Sequence, residues 1–71
     1  MFEKSLRFQA RTLRYSIAPT ASGWEVKEVC DEGDREVVKA MYFTDWHRVE
    51  RARRTITITI DGLRKKGWTA D

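Results

Sequence analysis

Apolar residues recur at spacings of three and four between positions 44 and 67. Val49, Ala52, Ile56, Ile60 and Leu63 fall close to one line when successive residues are turned by about 100°, which makes a single narrow stripe on one face of a helix. Thr44 or Asp45 can cap its start. Gly67 can supply a left-handed stop after Lys65 and Lys66. The pattern predicts a helix over about 45–66. Within it lies a competing signal. Thr55-Ile56-Thr57-Ile58-Thr59-Ile60 alternates with period two, is wholly β-branched, and is followed by Asp61-Gly62, a good hairpin dipeptide. Three features favour the helix. A return strand over Leu63–Trp68 would set Lys65 opposite Ile58 and Gly67 opposite Ile56. A helix ending at Arg54 would leave no loop before the strand. The stripe also runs unbroken through the segment. Because β-branched residues are mediocre helix formers, packing rather than intrinsic propensity must hold such a helix.

Upstream the period changes to two. Leu13, Tyr15 and Ile17 alternate with Arg14 and Ser16, a first strand over about 13–18 that Pro19 and the turn-forming Pro-Thr-Ala-Ser-Gly stretch bring to an end. A second strand covers about 24–30, with Trp24 and Val26 on one face and a break in alternation at Val29 that suggests a bulge or a drift in register. Asp31-Glu32-Gly33-Asp34 reads as a solvated hairpin, too poor in spaced acids for a calcium loop. A third strand covers about 35–43. Val37, Met41 and Phe43 point one way, Val38, Ala40 and Tyr42 the other, so both faces are apolar. Residues 1–12 fit either a short helix or an extended arm, and a partly ordered arm is the reading adopted. The expectation is a single small α+β domain over 1–71, a three-stranded antiparallel meander with one long C-terminal helix packed on one face (βββα).

With 71 residues the core is modest. Charge changes the picture more than composition does. Residues 1–15 carry four Lys/Arg against one acid, residues 16–45 three against seven, and residues 46–71 seven against three. The sheet is thus acidic and the helix basic, although the net charge of +3 is mild. The lone Cys30 rules out an internal disulfide framework and a cysteine-based zinc site. No apolar run is long enough to span a membrane, and the opening MFEKSLRFQAR does not read as a secretory signal. A cytoplasmic protein is expected. The single histidine, His47, lies off the stripe, and no phosphate loop, HExxH or CxxC occurs. The sequence therefore offers no catalytic, metal or cofactor site, and the domain is expected to be non-enzymatic. Two surfaces invite partners. The doubly apolar third strand leaves one sheet face without cover, with Val37, Met41 and Phe43 as candidate self-association residues. Arg51, Arg54 and Lys65 stand off the stripe and are candidate phosphate contacts.

The stretch opened by Thr44 and carrying Val49, Ala52, Ile56, Ile60, Gly62-Leu63 and Gly67 resembles the N-terminal domain of HicB-like antitoxins. The preceding YSIAP and SGWEV are similar to that family's first hairpin. The resemblance implies a partly truncated ribonuclease-H-like βββα unit that binds a small toxin ribonuclease, often as an oligomer, and has no catalysis of its own. Three departures stand against it. Cys30-Asp31-Glu32-Gly33 replaces the family's proline-rich turn, Arg48 stands where alanine is usual, and no DNA-binding segment follows within the sequence. The DUF2188-like small βββα proteins show a similar Gly-Trp-x-Val followed by Thr and Ala on a helix. The expected role is a small protein-interaction domain, a homodimer or the partner of another small protein. The alternative is weak nucleic-acid binding by the Arg-rich helix, resembling a double-stranded-RNA-binding αβββα domain if residues 2–11 are helical.

Overall fold

In a computed structural model, which describes residues 2–71, the chain is an antiparallel sheet crossed on one face by one long helix. Strands β1 (Phe2–Phe8), β2 (Arg11–Pro19), β3 (Trp24–Asp31) and β4 (Glu36–Phe43) are followed by α1 (Trp46–Lys65) and a two-residue strand β5 (Thr69–Ala70). The strand order is β4-β3-β2-β1-β5. The three expected strands are present as a meander, and the sheet is wider than expected by one strand on each side of the helix in sequence.

The added N-terminal strand corrects, over 2–12, the reading of residues 1–12 as a partly ordered arm, residue 1 lying outside the described residues, and it also excludes the helical alternative for 2–8. Phe2, Leu6 and Phe8 suit a strand as well as a helical turn. Paired residue for residue with β2, from Phe2 opposite Ile17 to Phe8 opposite Arg11, they put Leu6 among the most buried side chains of the chain. Gln9, at φ 56°, makes the turn into β2. Its left-handed conformation is one that glutamine rarely adopts, so no turn signal marks it in the sequence. The bulge expected at Val29 is also absent. The register of β3 runs without interruption from Trp24 to Asp31 against both neighbours. Val29 lies on the face away from the helix, opposite Val38.

Residues directly opposite one another share a face of an antiparallel sheet. Leu6, Leu13, Tyr15, Ile17 and Val26 therefore face the helix, and they form the core with Val49, Ile56 and Trp68. Ala52, Ile60 and Leu63 pack against it half-buried, so the whole stripe is used. Asp45, rather than Thr44, caps the helix. It is extended, and its carboxylate accepts from the His47 N–H at 2.9 Å. At the other end Gly67 takes φ 109°, and Trp68 N–H returns to the Leu63 carbonyl at 3.1 Å.

The β-branched segment is fully helical. The hydroxyls of Thr55, Thr57 and Thr59 each donate to the carbonyl four residues earlier, at 3.1, 2.9 and 2.9 Å. Threonine thereby finds a hydrogen bond without leaving the helix, and Ile56 is driven into the core. After the helix, Trp68 stacks on Phe8 with ring centroids 5.5 Å apart, and Arg11 lies 5.5 Å over the Trp68 ring. Thr69–Ala70 then pairs with Arg7 and Leu6, and Asp71 reaches Arg7 at 3.3 Å.

Ile56→Ala is expected to cost about 2–4 kcal/mol, a large part of the ~4–10 kcal/mol available to a domain of this size, and to lower the urea midpoint accordingly. Gly67→Ala is expected to cost more than about 1 kcal/mol. The residue would be held at positive φ, and its new methyl would lie 3.2 Å from the Phe8 ring. Chemical denaturation of both variants checks the two values.

Candidate interaction surface

The sheet is broader than the helix that covers it. Helix α1 runs over the middle of the sheet and leaves the helix-facing side of β3 and β4 partly bare. An open groove of about 600 Å³ lies there. Its floor is Tyr15, Val26, Met41 and Phe43, its inner wall is Ala52, Ile56 and Thr55, and Arg48 and Arg51 rise from the helix above it. Glu28 and Lys39, opposite one another in the β3–β4 ladder, form its lower end. On the helix's other flank a smaller hollow of about 200 Å³ runs beside Phe2, Ile17, Val49 and the paired rings of Trp24 and Trp46, whose centroids are 4.7 Å apart.

The three candidate self-association residues do not lie on the sheet face without cover, where the sequence put them: Val37, Met41 and Phe43 oppose Cys30, Val26 and Trp24 and so lie on the helix side. Phe43 packs against the core, Val37 is half-buried, and Met41 remains 55% exposed. The opposite face of β4 carries Val38 and Tyr42, 51% and 68% exposed, with Ala40 between them. Apolar side chains therefore stand uncovered on both faces at the same edge of the sheet. That edge is β4 itself, eight residues long with no proline, paired on one side only. At the opposite edge β5 covers part of β1, and Asp71 N–H extends the cover to the Ser5 carbonyl at 3.0 Å. A long, flat, apolar edge strand presents a row of unpaired backbone groups, and natural proteins seldom leave one open.

Arg51, Arg54 and Lys65 are all exposed on α1. Arg54 and Lys65 share the solvent side with Ile58, which is 69% exposed. Arg51 turns toward the groove. Among the described residues none of the three forms an ion pair, whereas Arg53 is held by Glu50 at 3.5 Å. His47 is exposed in the first helical turn. Asp31 is occupied locally, its carboxylate accepting from the Gly33 N–H at 2.8 Å, and Gly33 takes φ 95° to close the acidic hairpin.

The groove floor holds a titratable group that the sequence did not single out. Tyr15 is buried, and its pKa is pushed up to about 12, first by that burial and then by Glu28, whose negative charge and hydrogen bond both favour the protonated phenol. Tyr42, on the outer face, is also raised, by its hydrogen bond to Glu25. The alternation Leu13-Tyr15-Ile17 marks Tyr15 as an inward residue. Its proximity to Glu28 follows only from the β2–β3 register, in which the two are directly opposite.

No protein-family model, curated protein or solved structure matches this chain.

The Tyr15 shift has a definite sign. The folded state keeps the phenolic proton more tightly than the unfolded chain, whose tyrosine titrates near 10. Its stabilising contribution is therefore complete below about pH 10 and is lost as pH rises through about 12. Stability measured by urea denaturation is expected to fall between those pH values, and Tyr15→Phe is expected to flatten the fall.

Proposed function

We propose that this chain is a small non-enzymatic interaction domain that associates with a second copy of itself through the β4 edge and the apolar surface beside it. The observation that carries this reading is the coincidence, on one edge strand, of an unpaired backbone and uncovered apolar side chains on both faces. A water-exposed backbone edge alone is tolerable. Exposed Met41, Val38 and Tyr42 along the same strand add apolar area whose removal from water favours association by roughly 25 cal/mol per Å². The likeness of residues 44–67 to HicB-like antitoxin domains supports the same kind of role, a domain that binds a small protein and assembles with its own kind. In that antitoxin-like version a toxin partner would take the remaining apolar surface.

A second reading rests on the basic residues of α1. Arg51, Arg54 and Lys65 are exposed and without ion pairs among the described residues, and such a row can bind the phosphates of a nucleic acid weakly. Ile58 stands in its middle, which suits a phosphate surface poorly.

Sedimentation equilibrium at low and high salt, with a nonspecific duplex titrated in the same buffers, separates the two. Self-association through the apolar edge is expected to persist in high salt and to weaken at least tenfold in Met41→Asp, with the fold of the variant checked by circular dichroism. A monomer that binds duplex only at low salt, and loses it in Arg51→Glu or Arg54→Glu, would instead establish the phosphate-binding reading.

A further inference from the structure

We infer that two copies join their sheets β4 to β4, antiparallel, with Ala40 of one copy directly opposite Ala40 of the other. This rests on the self-association proposed above and specifies its geometry.

Antiparallel pairing of a strand with its own copy places a two-fold axis perpendicular to the sheet. One residue then lies on the axis, and every other pair is symmetric about it. Few centres give substantial overlap along an eight-residue strand, and the side chains distinguish them. Centring on Lys39 sets two ammonium groups against each other. Centring on Val38 puts Ala40 opposite Glu36 and leaves Tyr42 and Phe43 beyond the ladder. Centring on Met41 puts Lys39 opposite Phe43 and Val37 opposite Asp45.

Centring on Ala40 avoids all of these. Val38 meets Tyr42 on the outer face, and Val37 meets Phe43 on the helix face, each pair occurring twice by symmetry. Lys39 lies against Met41, where its aliphatic stem can cover the thioether while the ammonium reaches toward Glu28, which is opposite it in the β3–β4 ladder. The same register brings Arg35 of one copy level with Asp45 of the other. Arg35 has only a 3.9 Å contact to Glu32 within the chain, and Asp45 is exposed and extended at the helix cap. The charges at the strand ends are therefore complementary, and the acidic turn at 31–34 of each copy lies at the same end as Arg48 of the other.

The axis keeps both helices on the same face. The two grooves then merge into one trough, its floor formed by β3 and β4 of both copies and its walls by the two helices.

Cysteine scanning tests the register. In a Cys30→Ala background, single cysteines are placed at Val38, Lys39, Ala40 and Met41 and the chain is oxidised at a concentration where it is dimeric. Residues on the axis have Cα atoms about 4.5–5.5 Å apart, within disulfide range. Neighbours one position off the axis are separated by about two residue rises as well, roughly 8 Å in all, and cannot bridge. Ala40→Cys is expected to form disulfide dimer at least tenfold faster than the other three. Arg35→Glu is expected to weaken the dimer several-fold by placing Glu opposite Asp45 at both ends, and Asp45→Asn, which keeps a competent helix cap, is expected to recover part of that loss. A dimer that crosslinks fastest at 38, 39 or 41, or at none of the four, would overturn this register and leave self-association standing. A chain that stays monomeric in sedimentation overturns both.

Discussion

A single helix cannot cover a sheet of this width. An α-helix with its side chains is about 10–12 Å across, and four strands about 4.8 Å apart present a face nearly twice as broad. The helix here has only a narrow stripe, Val49-Ala52-Ile56-Ile60-Leu63, so it lies where the largest inward side chains converge, over Leu13, Tyr15, Ile17 and Val26. The remainder follows from that placement. Met41 and the groove beside it are bare because the helix is elsewhere, and Phe8 needs Trp68, from beyond the helix, to complete its packing.

The same constraint explains why a segment of alternating Thr and Ile is helical. As a strand it would leave the inward face of Leu13, Tyr15, Ile17 and Val26 without a cover. As a helix it delivers Ile56 to the core, and its threonine hydroxyls fold back onto carbonyls of the preceding turn. Tertiary burial thus outweighs a poor local propensity. The cost falls on Ile58, which must face solvent because its neighbours on either side are committed. Gly67 and Trp68 then turn the chain back, so the last residues seal the edge of the first strand.

Much of this was legible in the sequence. The stripe, the cap region, the left-handed stop and the three-strand meander each rest on a local pattern of period or turn chemistry. What escaped was non-local. Phe2, Leu6 and Phe8 fit a helical turn or a strand equally, and only pairing with β2 decides between them; the turn that joins the two strands uses Gln9 at positive φ rather than the glycine or asparagine that would have announced it. Val29 breaks the alternation of apolar and polar residues without a bulge, because Val38 opposite gives it an apolar companion on the outer face. For β4, alternation divided the side chains correctly into two sets, but with both sets apolar nothing local could say which would meet the helix. The register with Trp24 and Val26 places Val37, Met41 and Phe43 on the helix side of the sheet, where only Phe43 packs against the core.

Electrostatics at the start of the helix points to the same edge. The positive end of a helix dipole is stabilised by acids in the first turn, and α1 has none there beyond the Asp45 cap. Arg48 and Arg51 instead add positive charge close to that end and project over the groove. Basic residues are well placed at the other terminus, where Arg64 and Lys65 occupy the last turn. The acidic hairpin of Asp31, Glu32 and Asp34 would offset the excess at the start, but within one chain it lies at the far end of β4. Antiparallel pairing of two β4 strands would move the hairpin of one copy to the helix start of the other. Under the pairing proposed above, the backbone edge, the uncovered apolar side chains and the misplaced charges would share one remedy. A polyanion on the exposed Arg51, Arg54 and Lys65 would leave Met41, Val38 and Tyr42 in water.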